Sequence, residues 1–580
     1  MTGRRGGRPA PAAAAAGAVV ERIAREWAVP GVVIAVTDRK RVVWQHVTGY
    51  ADLARGVPLR TDHLLEIGSI SKIATAMVVL QTIAAGGLRL EQPIGEALPW
   101  VPAPLRDPAI TLRTLLTHTA GLVGSVDALP DERAQIAAYA EASPVPPGAP
   151  GSRFHYSNVG YLLLGLAASS AAGRPLPELV REQVFRPAGM VDAAPVITSA
   201  DAGRLASGHQ PLAEDLPWRP GDPLVAAPLI ETAGSDGSIA ATVADLAALA
   251  RVLLREGEGD AGVVLDRSSF AAMTGTLAPE GEEVLVLPGT AAPEWSRYGL
   301  GINVEQTPRG PVLSHGGGMV GFASFLLADP AAGRAVVVLT NADGDSPVAE
   351  ALARSVDAVF ERGGPGAEQQ GLSGVRWARP SSGRGPGPHV SVRPPALPAA
   401  ALGVFHGTDG RRLEVLAAGD GHDVVLDGRS AALRWTWSDR CLTTLPELRR
   451  FALVFDGTAW TWGAEEFRPE HGAGGAPDPA AGPALPSGHD IAAVPGHYRS
   501  YTPWYPHLRI VRRRSGLVLI APRGVEAPAE DHALVPLGGG AFRIGEDPAA
   551  PEILRVGPVI DGGCAWIDRD GCRYSRSFTA

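Results

Sequence analysis

The 580-residue sequence has very little cysteine, lysine and asparagine. Its three cysteines, Cys441, Cys564 and Cys572, exclude a disulfide scaffold and a cysteine-rich zinc module. Lysine occurs only as Lys40 and Lys72 and asparagine only three times, while arginine carries nearly all of the positive charge. A motif that requires lysine or asparagine is therefore improbable by chance in this chain.

Basic charge and long apolar runs are also lacking. The net charge is −9, so no basic field exists to attract nucleic acid or an anionic membrane. The sequence contains no stretch of about 18 uninterrupted apolar residues, so it predicts no transmembrane helix. The alanine-rich N-terminus resembles a secretory signal but passes directly into an amphipathic pattern at 21–27. We expect a flexible leader over 1–14, a first helix and a cytoplasmic protein, with secretion as the alternative.

Glycine and proline are abundant by contrast, with 71 and 52 residues, which predicts linkers and many turns. Two segments rich in these residues, 363–400 and 469–492, are predicted to be linkers. They separate a first domain, 15–362, from two further domains at 401–468 and 493–580.

The first domain begins with the pattern of a β-hairpin over 31–50, continues with helical patterns and ends with strand patterns. The helical patterns lie at 70–86, 109–117, 159–172, 176–185 and 243–255, and the later strand patterns at 311–314, 323–328 and 335–340. This order predicts an α/β or α+β domain whose sheet joins both ends of the segment.

The two later domains show short strand patterns and no helical period. Residues 401–407 parallel residues 494–500, which indicates a divergent repeat. Each copy has about the length of a small antiparallel β-barrel. The simplest interpretation is two structural appendages without catalysis of their own.

The run Ser69-Ile70-Ser71-Lys72 opens a predicted helix. A helix that starts at Ser69 places Lys72 one turn further on the same face. The serine N–H would lie near the positive end of the helix, and a desolvated neutral lysine can take the serine proton. The structural alternative is a capped surface helix with a lysine that extends into solvent.

Tyr156-Ser157-Asn158 precedes the next long helical pattern. A phenol near an ammonium group can have a lowered pKa and act as a general base, and an asparagine can orient both the lysine and a substrate amide. The alternative is a turn in which Ser157 or Asn158 caps the helix.

His315-Gly316-Gly317-Gly318 follows a strand pattern. Glycines let an extended substrate backbone approach a strand edge. A strand N–H at this place can complete an oxyanion hole together with the N–H of Ser69. The alternative is a plain glycine loop.

In this order, the serine–lysine, tyrosine–asparagine and His315-Gly316-Gly317 motifs resemble the three motifs of the class C β-lactamase-like serine hydrolases. That family includes penicillin-binding proteins, D-aminopeptidases, D-peptidases and esterases. The resemblance covers about residues 15–360 and implies a β-lactamase/transpeptidase-like α/β (α+β) sandwich with an all-helical subdomain. In this chain two small antiparallel β-barrel-like domains are expected to follow it.

The resemblance also implies a mechanism. Ser69 would attack an ester or amide carbonyl, including that of a D-amino-acid peptide or amide, to form an acyl-enzyme. Lys72 and Tyr156 would share the proton as general base and then general acid, and Asn158 would position Lys72 and the substrate.

The resemblance also implies roles for the residues of the third motif. His315, Gly316 and Gly317 would bind the substrate, with His315 also able to aid proton transfer, and the N–H groups of Ser69 and Gly318 would hold the oxyanion. Antibiotic-degrading members carry Lys-Thr-Gly here, where lysine supplies a fixed charge, whereas histidine is neutral or only partly charged near pH 7. In its third motif the chain therefore resembles the esterase and D-peptidase branches of the family.

Two other functions stay open. The same acyl-enzyme could be resolved by an amine, as in an acyltransferase or peptide cyclase, or the fold could serve a non-catalytic ligand-binding or sensor protein. No metal or organic cofactor is implied. The expected partner is a small-molecule ester or short peptide, with no nucleic acid or membrane, and the C-terminal domains could mediate self-association.

Overall fold

The computed structural model describes residues 11–124, 133, 150–287, 290, 292–342, 347–362, 375–378, 390–392, 397–419, 421–435, 440–470, 491–513, 516–522 and 530–577. They belong to two compact units. The first unit is drawn from Met1–Leu88, Ala168–Gln210 and Val225–His389, and the second from Arg89–Ala167, Pro211–Leu224 and Val390–Ala580. Most of the predicted leader and of both predicted linkers lies outside the described residues.

The α-helices are, in chain order, α1 Pro11–Glu26, α2 Ser71–Ala84, α3 Ile94–Ala97, α4 Leu112–Leu116, α5 Asn158–Ala172, α6 Leu176–Val180, α7 Arg186–Ala188, α8 Val243–Leu254, α9 Arg267–Gly275 and α10 Pro347–Arg362. Shorter 3-10 turns occur at Gly68–Ile70, Ala103–Arg106, Ser199–Asp201, Ala399–Ala401, Pro446–Leu448 and Ile491–Ala493, and a π-helical turn at Arg181–Phe185.

The strands before the barrels are β1 Gly31–Asp38, β2 Val42–Asp52, β3 Val57–Pro58, β4 Leu65–Glu66, β5 His209–Pro211, β6 Leu224–Ala226, β7 Ala240–Ala241, β8 Val284–Val286, β9 Trp295–Tyr298, β10 Asn303–Thr307, β11 Gly310–Met319, β12 Phe322–Asp329, β13 Arg334–Thr340, β14 Val375–Ala378 and β15 Val390–Val392.

The first unit is built around an eight-stranded sheet of order β3-β2-β1-β13-β12-β11-β10-β9. Neighbouring strands are antiparallel, and β1 from the start of the chain pairs with β13 near residue 340. The sheet therefore joins both ends of the segment, as the order of patterns predicts.

Helices cover the central strands of this sheet. Every residue of β12 is buried, and α8 and α10 contact both β12 and β13. Continuous valine and leucine runs such as Val336–Leu339 suit strands that are covered on both faces. The prediction of a sandwich of sheet and helices is thus confirmed.

Helix α1 begins at Pro11, inside the segment 1–14 predicted as a leader. Alanine has the highest helix propensity, and proline is favoured in the first turn, where its missing N–H costs no hydrogen bond. Ala15, Ala16 and Val19 are buried and the helix packs on α10, so the end of the alanine run belongs to the core of this unit.

One part of the predicted linker 363–400 also has regular structure. Strand β14 pairs antiparallel with β8, with Trp377 opposite Leu285.

The second unit contains the helices between residues 89 and 167 and two closed barrels. The first barrel comprises β16 Gly403–Gly407, β17 Arg412–Ala418, β18 Gly421–Leu426, β19 Arg429–Trp435, β20 Arg440–Thr443, β21 Leu453–Phe455, β22 Trp460–Trp462 and β23 Glu465–Pro469. The second comprises β24 Gly496–Arg499, β25 His507–Arg513, β26 Gly516–Ala521, β27 Glu530–Gly538, β28 Ala541–Ile544, β29 Ile553–Val556, β32 Trp566–Arg569 and β33 Cys572–Arg576, with β30 Val559–Ile560 and β31 Gly563–Cys564 forming a separate ribbon.

The barrel prediction is confirmed, and the repeat has a structural counterpart. The paralleled segments form the first strand of each barrel, where Phe405 and Tyr498 occupy equivalent positions and are 1% and 0% exposed. An aromatic side chain at this position fills each barrel interior.

Among the described residues, no helix is both long enough and apolar enough to cross a membrane.

Candidate active site

Ser69 lies in the 3-10 turn Gly68–Ile70, and α2 begins two residues later at Ser71. The sequence prediction of a helix starting at Ser69 is therefore displaced by two residues, but Lys72 still follows within one turn. Residues 71–80 of this helix are all buried, which anchors it in the first unit. Ser69 itself is only partly buried.

Lys72 is fully buried, and its Nζ donates hydrogen bonds to Ser69 Oγ at 2.9 Å and to the carbonyl oxygen of Asp236 at 2.8 Å. Burial lowers the pKa of Lys72 from its ordinary value of 10.5 to about 8, although the Asp236 and Glu282 carboxylates act in the opposite direction. The surface-helix alternative is excluded, because this lysine does not reach solvent.

Two acidic residues that the sequence analysis did not single out influence Lys72. Burial, reinforced by Glu350 and Glu305, raises the pKa of Glu282 to about 8, while Lys72 lowers it. Burial likewise raises the pKa of Asp236 against the effect of Lys72. Asp236 lies in the run Gly234-Ser235-Asp236-Gly237-Ser238. This composition is typical of a turn, and it is the sequence signal by which Asp236 could have been identified.

The glycines of the third motif lie against the turn that carries Ser69. Gly68 has a φ of +50°, and a Cβ placed on it would lie 2.7 Å from the backbone nitrogen of Gly318. A Cβ placed on Gly317 would lie still closer to the carbonyl oxygen of Ile67. Only glycine permits these backbone distances, so the two segments that carry Ser69 and Gly318 are held side by side.

His315 is fully buried and both of its ring nitrogens are engaged. Tyr298 donates its hydroxyl proton to Nε2 at 2.7 Å, and Nδ1–H donates to the carbonyl oxygen of Gly316 at 2.6 Å. Burial lowers the pKa of His315 to about 3. The imidazole is therefore neutral, and both of its nitrogens are bonded within the first unit.

A buried network of ion pairs and hydrogen bonds connects β11 to α10. Ser314, which precedes His315, donates to Glu305, and Arg354 bonds Glu305 at 2.7 and 3.0 Å and Glu350 at 2.7 Å. Such a network is costly to break, because removal of one partner leaves a buried charge. The sequence offers no short motif that identifies it.

Tyr156 and Asn158 lie in the second unit, at the start of α5. Ser157 Oγ accepts the N–H of Gly160 at 3.2 Å, so Ser157 is the helix cap that the alternative interpretation allowed.

His118 is hydrogen-bonded to this segment, and the sequence analysis did not identify it as a candidate site residue. It has a φ of +54°, its Nδ1 accepts the N–H of Ser157 at 3.0 Å, and its carbonyl accepts the N–H of His155 at 2.7 Å. Its ring lies 4.2 Å from that of Tyr156, at an angle of 31°. A histidine held in the left-handed region is strained backbone, which often accompanies functional sites.

The first unit thus brings together Ser69, Lys72, His315, Gly316, Gly317 and Gly318. Tyr156 and Asn158 are brought together with His118 in the second unit. Among the described residues, no cluster of three or more His, Cys, Asp or Glu side chains could hold a metal ion.

Comparisons with known proteins identify the family of the segment that contains these residues. A family model described as Beta-lactamase matches residues 18–360. Esterase EstB of Burkholderia gladioli is 32% identical over 212 residues, which cover 33% of this chain and 52% of the esterase. D-aminopeptidase of Cereibacter sphaeroides is 28% identical over 383 residues, covering 61% of this chain and 64% of that protein. The matched part is therefore under two thirds of each of these relatives.

Among solved structures, the octameric penicillin-binding protein homologue from Pyrococcus abyssi superposes with a TM-score of 0.52 at 19% identity, covering 77% of this chain and 98% of the other. At this identity the likeness supports the fold alone.

Proposed function

This chain belongs to the beta-lactamase family and is a serine hydrolase, and from that premise we propose that Ser69 is the nucleophile that forms its acyl-enzyme. The observation that carries the proposal is the 2.9 Å hydrogen bond between Ser69 Oγ and a fully buried Lys72. Neutral Lys72 accepts the proton of the Ser69 hydroxyl as Oγ forms its bond to the substrate carbonyl carbon.

The proton then moves to the leaving group. As the tetrahedral intermediate collapses, the bond from carbonyl carbon to alkoxide or amine breaks, and Lys72 and Tyr156 return the proton to the departing atom. Water next attacks the acyl carbon and gives a proton to the same base. The bond from the acyl carbon to Ser69 Oγ then breaks, and the base returns that proton to Oγ, which releases the acid and free Ser69. Asn158 positions Lys72 and the substrate in both halves of the reaction.

The negative oxygen of the intermediate is held by the N–H groups of Ser69 and Gly318. The support is the close backbone approach of Gly68 to Gly318, which places the two segments side by side. Donors fixed in this way need no rearrangement as the charge develops, which is the main advantage of an oxyanion hole. Gly316 and Gly317 leave room for the substrate along β11.

We propose esters or amides, including D-amino-acid amides and short D-peptides, as the substrate class. A neutral His315 offers no fixed positive charge for the carboxylate of a β-lactam antibiotic. The names of the relatives, an esterase and a D-aminopeptidase, are in line with this class.

Burst kinetics with a p-nitrophenyl ester test the proposal. We expect a burst of p-nitrophenol stoichiometric with the protein, followed by slower turnover, and loss of both in Ser69→Ala. Ser71→Ala is the matched control, because it removes a hydroxyl two residues away whose oxygen accepts the N–H of Ile239 at 3.1 Å. Activity above a few per cent in Ser69→Ala would refute the assignment.

The substrate class is tested separately with D- and L-amino-acid p-nitroanilides and a chromogenic cephalosporin. We expect ester or D-amide turnover to exceed cephalosporin turnover by at least about tenfold, a factor that corresponds to about 1.4 kcal/mol. A preference for the cephalosporin would contradict this part of the proposal.

A further inference from the structure

The second barrel contacts the segment that carries Tyr156. Glu552, which directly precedes β29, directs Oε1 toward two donors in the helical part of the same unit. It accepts the backbone N–H of Gly124 at 2.9 Å and Nε2–H of His155 at 2.7 Å. Residues more than 390 positions apart in the sequence are thus joined by one carboxylate oxygen.

A second contact from the same barrel segment supports the first. Asp547 forms a two-pronged ion pair with Arg153, with one bond of 2.7 Å between Arg153 Nη1 and Asp547 Oδ1. Paired bonds between a guanidinium and a carboxylate fix orientation as well as distance. The segment between β28 and β29 therefore holds residues 153 and 155, immediately before Tyr156.

The two residues that donate hydrogen bonds to Glu552 are each connected directly to the Tyr156–Asn158 segment. His155 is bonded to Tyr156 through the peptide link. Gly124 accepts the N–H of Asn158 through its carbonyl oxygen at 2.6 Å, and a Cβ on Gly124 would lie 3.2 Å from the carbonyl oxygen of Tyr156. Displacement of Gly124 or His155 would consequently move the backbone of Tyr156 and Asn158.

The surroundings of Glu552 keep its carboxylate charged and hydrogen-bonded. Its side chain is 17% exposed. Burial opposes its charge, but the hydrogen bond and charge of His155 and the N–H of Gly124 outweigh burial and lower the pKa of Glu552. The group is therefore charged at neutral pH, and charge-assisted hydrogen bonds of this kind are the stronger ones.

We propose that Glu552 is a positioning residue for the Tyr156–Asn158 segment, and that the second barrel is through it a working part of the active site rather than an appendage. This inference rests on the proposed role of Tyr156. A displacement of about 1 Å at a reacting group can reduce a rate by about 10²-fold. Glu552 acts through Gly124 and His155, so its effect belongs to kcat rather than to substrate affinity.

The test compares variants of the full chain with a p-nitrophenyl ester. Glu552→Ala is expected to lower kcat at least about tenfold while KM stays within about threefold. Glu552→Gln should restore activity to within about threefold of the wild type, because its amide oxygen still accepts both hydrogen bonds. Glu546→Ala is the matched control, since it removes an exposed carboxylate from the same segment.

A double-mutant cycle separates positioning from general damage. In a Tyr156→Phe background, Glu552→Ala should change kcat by less than about twofold, because the group it positions is already absent. An equal loss in both backgrounds would overturn the proposal, as would a wild-type kcat in Glu552→Ala. If Glu552→Ala fails to fold by circular dichroism, Glu552→Asp decides, since it keeps the charge but withdraws it by one methylene. A several-fold loss of kcat that disappears in the Tyr156→Phe background supports positioning, and a wild-type kcat overturns it.

Ser69→Ala, measured alongside, keeps the two proposals distinguishable. Activity that persists in Ser69→Ala refutes the proposed function and, with it, the role of Glu552. An inactive Ser69→Ala together with fully active Glu552 variants refutes only the positioning role.

Discussion

The pKa of Lys72 gives a quantitative prediction for Lys72→Arg. Burial lowers that pKa from 10.5 to about 8, a difference of about 2.5 that corresponds to about 3 kcal/mol. At pH 8 about half of the lysine is then neutral, whereas an ordinary lysine would be neutral in only about one molecule in 300. Arginine remains protonated throughout this range and cannot accept the Ser69 proton.

We therefore expect Lys72→Arg to lose acylation by about 10²-fold or more, the usual scale for a general base. The sign of the pH dependence follows from the reactive form. Because neutral Lys72 is the base, the wild-type acylation rate should rise with pH and level off above about pH 8. The variant should have no such rise. Stopped-flow acylation by an activated ester between pH 6 and pH 10 measures both.

Burial also affects the folding of this variant. Lys72 is 0% exposed, so the larger guanidinium should reduce the free energy of unfolding by about 1–3 kcal/mol. Lys72→Met, of similar length and without charge, is the companion variant, with circular dichroism as the control for folding. A near wild-type acylation rate in folded Lys72→Arg would refute the base assignment and leave Tyr156 as the working base.

Three further predictions concern residues around the site and in the barrels. Gly68→Ala should lower the free energy of unfolding by at least about 1 kcal/mol and slow acylation, because its φ is +50° and the new Cβ would meet the Gly318 nitrogen at 2.7 Å; urea denaturation and burst kinetics measure the two effects. Ser71→Ala should lower the free energy of unfolding by about 1–3 kcal/mol, because the N–H of Ile239 loses its buried acceptor, and a wild-type denaturation midpoint would contradict this reasoning. Cys441, Cys564 and Cys572 are buried thiols outside any disulfide, so native protein should react slowly with a thiol reagent and denatured protein should titrate three thiols; detection of a 564–572 bridge by mass spectrometry would refute this prediction.

The overall fold follows from the sequence more completely than the site does. Strand patterns at 311–314, 323–328 and 335–340 correspond to β11, β12 and β13, because continuous apolar runs mark strands covered on both faces. The helical pattern at 176–185 is realised as α6 followed by a π-helical turn, a local change that hydrophobic spacing cannot distinguish.

Side-chain environment is where the sequence is least informative. The motif His315-Gly316-Gly317 indicates a strand edge, but it does not show the burial that makes the imidazole neutral or the hydrogen bond from Tyr298, 17 residues earlier in the chain. The side chain of Glu552 joins Gly124 and His155 over more than 390 residues, and no local pattern predicts a contact of that separation. Pairings of this kind are decided by tertiary packing.

The most direct test of the central claim is the location of the acyl group. The protein is mixed with a p-nitrophenyl ester, quenched in acid during the burst, digested and mapped by tandem mass spectrometry. The account predicts one acyl adduct per chain, on Ser69, and its absence from Ser69→Ala. An adduct on any other residue, or product formation with no covalent adduct at any quench time, would contradict it.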